Sequence, residues 1–458
     1  MKHALPLIER HTSIKETIQK IERTPFATGF LINEQGVYLG GIFLSDLRRL
    51  LISGVNAEAE VGAYPVKYTY RLEEPSLRDR ARVDALLADL RLHGVNYVPV
   101  VTSIGEIQDI LSADDLTSAR PSELPAGQRE REKRVLVVGG AGYLGSILTR
   151  KLLARGYQVR ILDSFIYGRK SVEELTGNER CEIVEGDLRN IHTCVSALEG
   201  VNAVILLAAI VGDPASKVRP TETIETNVLA AQALASAAKL QHISRFVYAS
   251  TCSVYGVGAD LLDEQSSLNP VSLYARTKIA SEDIILKMGD AYFAPTILRM
   301  GTLYGYSPRM RFDLVVNTMS MKSFTDKKIQ VYGGKQWRPL LHVEDAADVY
   351  IRCVEADLKN VGNQVFNVGS NEQNYQIEEI AERVSTTLGG IPIQRDDTSL
   401  DARDYRVSFA KVHDTLGFSP QATVEQAAET IFGRLSDGTI RNPAQRIYYN
   451  HYFDATEE

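Results

Sequence analysis

Two residues four positions apart, Tyr274 and Lys278, are the strongest candidates for acid–base chemistry in this chain. On a helix they would lie on one face, and a neighbouring ammonium group stabilises a phenolate and lowers the pKa of the tyrosine. Such a tyrosine can exchange a proton with a substrate hydroxyl near neutral pH. Thr251 precedes the pair and offers a hydroxyl to the same oxygen. Because Tyr/Lys pairs also occur on solvated helix faces, the prediction that Thr251, Tyr274 and Lys278 are catalytic depends on the elements around them.

A glycine-rich segment, VGGAGYLGS, follows an apolar run and opens a helical pattern. Gly139 permits a tight turn, Gly142 lets backbone N–H groups approach a pyrophosphate, and Gly145 lets the helix pack closely on the strand. The start of that helix presents N–H groups and a positive dipole to an anion. The segment therefore predicts a dinucleotide site that also includes Tyr143 and Leu144.

Residues after the following strands extend this cofactor site. Asp163 ends the second predicted strand, where a carboxylate accepts both ribose hydroxyls and repels a 2′-phosphate. This favours NAD over NADP, although Arg169 and Lys170 follow closely and leave a phosphate acceptor open. Tyr274 and Lys278 are expected at the nicotinamide end. The remaining predicted cofactor contacts are Asp187, Leu188, Ala208 and Ala209.

The elements that must position these residues alternate along the second part of the chain. Short apolar runs separated by helical patterns predict a doubly wound parallel sheet. The predicted strands are Val135–Val138, Gln158–Leu162, Glu182–Val184, Ala203–Ala208, Arg245–Ala249 and Thr296–Arg299, and the helices include Ser146–Ala154 and Thr226–Leu240. After Gly301 the pattern becomes irregular, as expected of a smaller substrate-covering lobe. One late strand, Gln364–Val368, is expected to return to the sheet.

From about 134 to 435 the chain resembles the extended short-chain dehydrogenase/reductase family of NAD-dependent sugar-nucleotide epimerases and dehydratases. The later motifs RPLLHV, FNVG and LGFSP add to the glycine loop and the Tyr/Lys pair. The resemblance implies a Rossmann-type α/β fold, NAD as cofactor and a nucleotide-sugar substrate. Guanidinium groups suit a diphosphate. The candidate substrate-binding residues are Arg338 and Arg403 by resemblance, Arg309 near the start of the covering lobe, and Asn317.

Two sets of acidic residues found in related enzymes are absent from this chain, and their absence narrows the range of reactions that we expect. Dehydratases of this family carry an Asp–Glu pair after the threonine, and decarboxylases carry a Glu before Val-Tyr-Gly, whereas this chain has Cys252 and Ser253. Epimerisation through a transient ketosugar needs neither acid, so we expect a 4-epimerase. Two alternatives stay open. One is a nucleotide-sugar oxidoreductase or dehydratase without epimerisation, and the other is a nucleotide-sensing scaffold with vestigial catalysis.

A stretch rich in Pro, Gly and charge at 119–133 is typical of a linker. It predicts one domain over residues 1–118 and a catalytic domain over residues 134–458. In the first domain a weak repeat is present, in which a helix, two strands and a second helix follow one another as in a βαββα unit. This repeat resembles a tandem CBS domain, an α+β nucleotide-sensing module.

The second repeat carries the candidate regulatory residues, Ser112 and Asp115. In the CBS family a hydroxyl residue and an aspartate three positions apart contact a ribose, and this pair matches that spacing. The first repeat keeps Asp46 but has Phe43 in place of the hydroxyl. We therefore expect one adenine-nucleotide site, although Ser112 and Asp115 could equally cap a helix.

Composition excludes several other classes of function. A net charge of −7 argues against a nucleic-acid partner. The four cysteines lack CxxC spacing and the histidines lack metal-ligand spacing, so reduced thiols and no metal are expected. No apolar run reaches membrane-spanning length, and we expect a cytoplasmic protein without a membrane partner. Relatives of both modules commonly pair, which predicts a homo-oligomer.

Overall fold

The computed structural model of the chain forms two compact units, Met1–Arg129 and Glu130–Glu458. The described residues are 6–24, 28–64, 69–73, 86–87, 90, 95, 97–112, 134–241, 243–290, 293–396 and 403–452. The predicted linker at 119–133 lies outside them. Across these ranges, every helix is too short or too polar to cross a membrane.

The first unit contains two small sheets with the same arrangement of strands. In each sheet the first strand runs parallel to the second, which pairs antiparallel with the third. The elements are β1 (Leu7–Glu9), α1 (Ile14–Glu22), β2 (Thr28–Ile32), β3 (Tyr38–Phe43), α2 (Leu44–Ile52), β4 (Leu72–Glu73), β5 (Tyr97–Val101) and β6 (Ile107–Ser112). Helix α1 begins because the Ser13 side chain accepts a hydrogen bond from Glu16 N, and it buries Ile14 and Ile21. The predicted repeat is therefore visible in the strand directions of both halves.

The residues predicted to bind a regulatory nucleotide are only partly described. Ser112 is the last residue of β6, where the sequence predicted the start of a helix. Asp115 lies outside the described residues. The identification of this unit as a CBS pair therefore stays a prediction.

The second unit is built around a seven-stranded parallel sheet with the order β17-β13-β11-β10-β7-β8-β9. Its strands are β7 (Arg134–Val138), β8 (Gln158–Asp163), β9 (Cys181–Glu185), β10 (Ala203–Leu206), β11 (Arg245–Thr251), β13 (Ala294–Met300) and β17 (Gln364–Val368). The order reverses direction at β7, which is the topological switch point of a Rossmann-type fold. This confirms the predicted doubly wound sheet and the return of the late strand to its edge.

Helices cover both faces of this sheet. Along β7, Val135 and Val137 belong to one hydrophobic cluster and Leu136 and Val138 to the other, so the strand buries both faces. The flanking helices are α3 (Tyr143–Ala154), α4 (Ile191–Ala197), α5 (Asp213–Val218), α6 (Pro220–Ile224), α7 (Ala231–Leu240), α8 (Leu273–Lys287), α10 (Val343–Glu355) and α11 (Leu358–Val361). A π-helical turn over Glu225–Ala230 precedes α7, where the sequence predicted one continuous helix.

A smaller lobe is formed mainly by residues after Gly301. Its strands are β14 (Thr302–Tyr304), β15 (Ile329–Tyr332), β16 (Trp337–His342), β18 (Asn374–Gln376), β19 (Ile393–Asp396) and β20 (Asp404–Val407), and β20 pairs with β12 (Val257–Leu262). Its helices are α9 (Val315–Thr325), α12 (Ile377–Thr387), α13 (Ala410–Leu416) and α14 (Val424–Ser436). A hydrophobic cluster that includes Val316, Ile380 and Ala428 holds these pieces together.

Candidate active site

The glycine loop joins β7 to α3 at the switch point of the sheet. Gly139 has a φ of +87°, and a Cβ atom there would lie 2.7 Å from the backbone nitrogen of Ala208. A Cβ on Gly145 would collide with the carbonyl oxygen of Gly139. No side chain caps the start of α3 at Gly142. The loop thus lets backbone come close at a helix N-terminus, which fits a dinucleotide diphosphate.

Hydrogen bonds from the glycine loop and from the loop after β8 hold the carboxylate of Asp163. Its Oδ2 accepts a hydrogen bond from Ala141 N and its Oδ1 from Phe165 N, each at 2.9 Å. Burial raises the pKa of Asp163, and these N–H groups oppose the rise. The carboxylate is therefore fixed at the end of β8, where a ribose of the dinucleotide is expected.

The other predicted cofactor residues lie along the same edge. Asp187 follows β9 and forms an ion pair with Arg189, whose hydrogen bonds lower the pKa of Asp187. Leu188 is buried beside it. Ala208 follows β10 and donates a 2.9 Å hydrogen bond to Val138 O, so it borders the glycine loop, and Ala209 is the next residue along the chain.

The predicted catalytic residues meet at the ends of β11 and α8. Thr251 is the last residue of β11, and its side chain is hydrogen-bonded to that of Tyr274. Helix α8 starts at Leu273 because Ser272 Oγ accepts from Ala275 N, which places Tyr274 in the first turn. Lys278 lies one turn later, and its Nζ donates a 2.8 Å hydrogen bond to Ala249 O. Both Tyr274 and Lys278 are buried.

The electrostatics of this pair differ from the prediction. Burial raises the pKa of Tyr274, against the opposing effects of the Arg311 charge and the Thr251 hydrogen bond. Burial also lowers the pKa of Lys278 to about 7. The expectation that Lys278 lowers the pKa of the phenol was wrong. Desolvation dominates both groups, and the cation that acts on Tyr274 is Arg311.

A second set of polar residues that the sequence did not single out surrounds the phenol. Asp213 and Tyr405 both act electrostatically on Tyr274. Asp213 follows Gly212, whose φ of +96° turns the chain after β10. Asp213 Oδ1 is buried and has no hydrogen-bond partner among the described residues, while its Oδ2 lies 3.7 Å from Arg403 Nε. The signal available in the sequence was its place shortly after a strand that ends at the switch point.

Asn227 in the π-helical turn links the loop before Asp213 to the catalytic helix. Its Oδ1 accepts from Ile210 N at 2.8 Å, and its Nδ2 donates to Ile210 O and to Thr277 Oγ1 at 3.0 and 3.2 Å. Thr277 is the residue before Lys278 on α8. The buried amide therefore fixes the position of the loop relative to the catalytic side chains.

The predicted substrate-binding arginines lie in two different places. Arg338 is buried and donates to Trp337 O and Arg403 O at 2.7 and 2.6 Å. It thereby supports the backbone next to Arg403, which itself approaches Asp213. Arg309 lies on the cofactor side, stacked on the ring of Tyr167 at 3.9 Å.

Asn317, the predicted nucleotide contact, forms three buried hydrogen bonds within the protein. Its Nδ2 donates to Tyr143 Oη at 3.1 Å and to Arg311 O at 2.9 Å, and its Oδ1 accepts from Gly305 N at 2.9 Å. Both of its N–H groups are thus used within the protein. The residue holds the loop at 305–311 against α3, because a buried amide forms hydrogen bonds with the nearest partners.

The second unit is similar to enzymes that act on nucleotide sugars. The chain is 30% identical over 264 residues to the UDP-N-acetyl-alpha-D-glucosaminuronate decarboxylase of Bacillus cytotoxicus, which covers 55% of this chain and 79% of that protein. It is 27% identical over 274 residues to the UDP-glucose 4-epimerase of Lactobacillus helveticus, covering 55% of this chain and 82% of that protein.

Solved structures with the same fold contain the cofactor that the sequence predicted. The UDP-glucuronic acid 4-epimerase from Bacillus cereus, in complex with UDP-glucuronic acid and NAD, gives a TM-score of 0.60 at 25% identity, covering 66% of this chain and 99% of that one. Residues 135–369 match the family described as the NAD dependent epimerase/dehydratase family. Because that match runs from the glycine loop to the last strand of the sheet, the chain belongs to the NAD-dependent epimerase/dehydratase family, with NAD as its cofactor.

Proposed function

We propose that the protein is a nucleotide-sugar 4-epimerase that works through a transient ketosugar. The observation that carries the proposal is the environment of the two residues after Thr251. Cys252 is buried, its thiol donates to Arg299 O at 3.2 Å, and burial raises its pKa. Ser253 Oγ lies 3.4 Å from the Tyr405 hydroxyl. Neither residue can supply the acid that elimination or assisted decarboxylation requires in relatives of this family.

The residues around the phenol are suited to moving one proton at a sugar oxygen. As a phenol, the favoured form in this environment, Tyr274 can protonate a ketone oxygen. To accept the proton of a sugar hydroxyl in the reverse step, it must first be the phenolate. Thr251 orients the phenol, and the charge of Arg311 favours the phenolate when the proton leaves. Bound NAD supplies the reversible oxidation and reduction of the sugar carbon.

The substrate is proposed to lie between Tyr274 and the lobe that carries Arg403. Arg403 offers a guanidinium for the diphosphate, and Asp213 offers an acceptor for a sugar hydroxyl. Relatives named for UDP-glucose, UDP-glucuronic acid and an N-acetylated uronic acid support a nucleoside-diphosphate hexose or hexuronic acid as substrate.

A screen of nucleotide sugars by mass spectrometry and NMR tests this proposal. Protein purified with its cofactor is incubated with UDP-glucose, UDP-glucuronic acid, and their N-acetylated and deoxythymidine counterparts, without added NAD. We expect an isomer of unchanged mass with inverted C4. Net oxidation, or loss of water or carbon dioxide as the main outcome, would contradict epimerisation. Tyr274→Phe protein serves as the inactive control.

We propose in addition that the first unit binds an adenine nucleotide through its second half. This proposal is supported by the position of Ser112, which ends β6 in the second of two similarly arranged sheets. ATP or AMP should then raise the melting temperature of wild-type protein, and Ser112→Ala together with Asp115→Ala should reduce that rise. An unchanged melting temperature at millimolar nucleotide would leave the unit with a structural role only.

A further inference from the structure

Arg309 is a buried arginine, and two of its nitrogens lack a hydrogen-bond partner among the described residues. The residue is 6% exposed, and within the described ranges its Nε and Nη2 are both buried without an acceptor. A buried guanidinium without a countercharge is costly, so protein cations in such places are normally paired. Burial and the neighbouring Arg311 lower the pKa of Arg309 to about 10. Two donors of this side chain therefore find no acceptor among the described residues, which is typical of a group that donates its hydrogen bonds to a ligand.

The surroundings of Arg309 place it on the cofactor side of the active site. Its guanidinium stacks on the ring of Tyr167, in the loop that follows Asp163. The Asp163 carboxylate and the Arg309 guanidinium act on each other electrostatically. The same guanidinium also acts on the hydroxyl of Tyr143, the first residue of α3. Arg309 thus lies near the ribose end of the predicted cofactor site and acts electrostatically on the first residue of α3.

The loop that carries Arg309 is attached to the start of α3. Ser307 Oγ donates to Tyr143 O at 2.7 Å, and Tyr143 Oη donates to Gly305 O at 2.6 Å. These buried hydrogen bonds fix the loop beside the glycine-rich turn. The position of the guanidinium is therefore set by the helix whose N-terminus is expected to face the diphosphate.

We propose that Arg309 binds the diphosphate of NAD and so completes from the covering lobe the anion site that the glycine loop begins. A planar guanidinium can donate two parallel hydrogen bonds to phosphate oxygens, and the diphosphate supplies the acceptors that Nε and Nη2 of Arg309 lack among the described residues. This assigns Arg309 to the cofactor, where the sequence had suggested the substrate. The inference rests on NAD as cofactor and is independent of the reaction proposed above.

A neighbouring cavity offers a second source for the same chemistry. Its volume is about 220 Å³, and Tyr167, Lys170, Arg309 and Tyr448 are among the residues that line it. Inorganic phosphate bound there would also complete Arg309. The test must therefore separate a phosphate of the dinucleotide from a free phosphate ion.

The test compares Arg309→Lys and Arg309→Gln with wild-type protein and with Arg434→Gln. Arg434 is the matched control, because its guanidinium stacks on Tyr306 of the same loop but pairs with Asp437 in a half-exposed position. Bound NAD per protomer is measured after denaturation, and the dissociation constants of NAD, ADP-ribose and adenosine are measured by calorimetry on protein freed of cofactor.

We expect Arg309→Gln to weaken NAD and ADP-ribose by roughly 10- to 100-fold, with Arg309→Lys between it and wild type. Adenosine, which has no phosphate, should bind all four proteins equally. Equal loss of adenosine affinity would indicate general damage to the site and overturn the proposal. So would unchanged affinity for ADP-ribose in both Arg309 variants.

A measurement with inorganic phosphate separates binding of the cofactor diphosphate from binding of a free phosphate ion. If about 10 mM phosphate stabilises NAD-loaded wild type but not NAD-loaded Arg309→Gln, the guanidinium serves a separate phosphate site and the assignment to the cofactor is wrong. We expect the same small response in both proteins. Failure of the epimerase proposal would leave these affinities unchanged, so the two outcomes are distinguishable.

Discussion

Lys278 Nζ lies 6.0 Å from the centre of the Tyr274 ring, yet it directs its 2.8 Å hydrogen bond to the carbonyl of Ala249. The two side chains share a helix face, as the sequence predicted. Burial raises the pKa of Tyr274 and lowers the pKa of Lys278, so it favours the neutral form of each. The pair is therefore a neutral proton donor beside an amine that changes charge near neutrality.

Replacement of Tyr274 by Phe tests the proton transfer. We expect turnover to fall roughly 100- to 10,000-fold, the usual contribution of a general acid–base group. Bound NAD, measured after denaturation, should be retained because the ring and its packing remain. Undiminished turnover would remove the phenol from the mechanism.

The low pKa of Lys278 has a consequence for stability. The unfolded chain holds this proton up to a pKa near 10.4, whereas the folded chain releases it at about 7. Between these values the unfolded state binds more protons, so this group makes the fold more stable as pH rises and less stable as pH falls toward 7.

Lys278→Met removes this contribution. For protein freed of cofactor, we expect the unfolding free energy of wild type relative to Lys278→Met to increase by about 2 kcal/mol between pH 7 and pH 9. Urea unfolding at the two pH values measures the difference. Parallel changes in the two proteins would show that Lys278 is charged throughout this range.

Asp163 should determine the choice between the two nicotinamide dinucleotides. Asp163→Ala removes the ribose acceptor and the repulsion of a 2′-phosphate, so the ratio of NAD to NADP affinity should fall. Some loss of stability is also expected, because Ala141 N and Phe165 N lose their acceptor. Titration with both dinucleotides gives the ratio, and Asp187→Ala is the comparison at the next strand. An unchanged ratio would refute the ribose role.

Asp213→Asn tests the acceptor next to the phenol. The change preserves shape but removes the charge, so we expect KM for the nucleotide sugar to rise by about tenfold, the value of a charged hydrogen bond. NAD content should stay unchanged. Asp414→Asn is a suitable control, since Asp414 is exposed and contacts only its neighbour His413 among the described side chains. An unaltered KM would limit Asp213 to its contact with Arg403.

Local patterns predicted the main sheet because its strands are long, apolar and separated by helices. Strand β17 (Gln364–Val368) has the bounds that the sequence predicted. The strands β1 and β4 could not be located from the sequence, since runs of three and two residues carry almost no periodicity. The π-helical turn was also missed, because nothing in the run from Thr226 distinguishes it from an ordinary helix.

The candidate site was predictable where chemistry depends on a motif and not where it depends on packing. The glycine loop and Asp163 lie together at the switch point. Asp213 escaped notice because its approach to Tyr274 depends on the turn at Gly212. The hydrogen bonds of Asn317 were not predictable, because hydrogen bonding in a buried loop depends on distant partners such as Tyr143.

The amide of Asn227 joins the Asp213 loop to the helix of Tyr274 and Lys278 through a side chain with 1% exposure. The Asp213 loop and the catalytic helix are thus fixed to each other. Any change there that suits a new sugar would also displace the proton donor. New preferences for a sugar or a base should therefore arise by substitution in the opposite lobe, around Arg403, while the Asn227 side remains constant among enzymes of differing specificity.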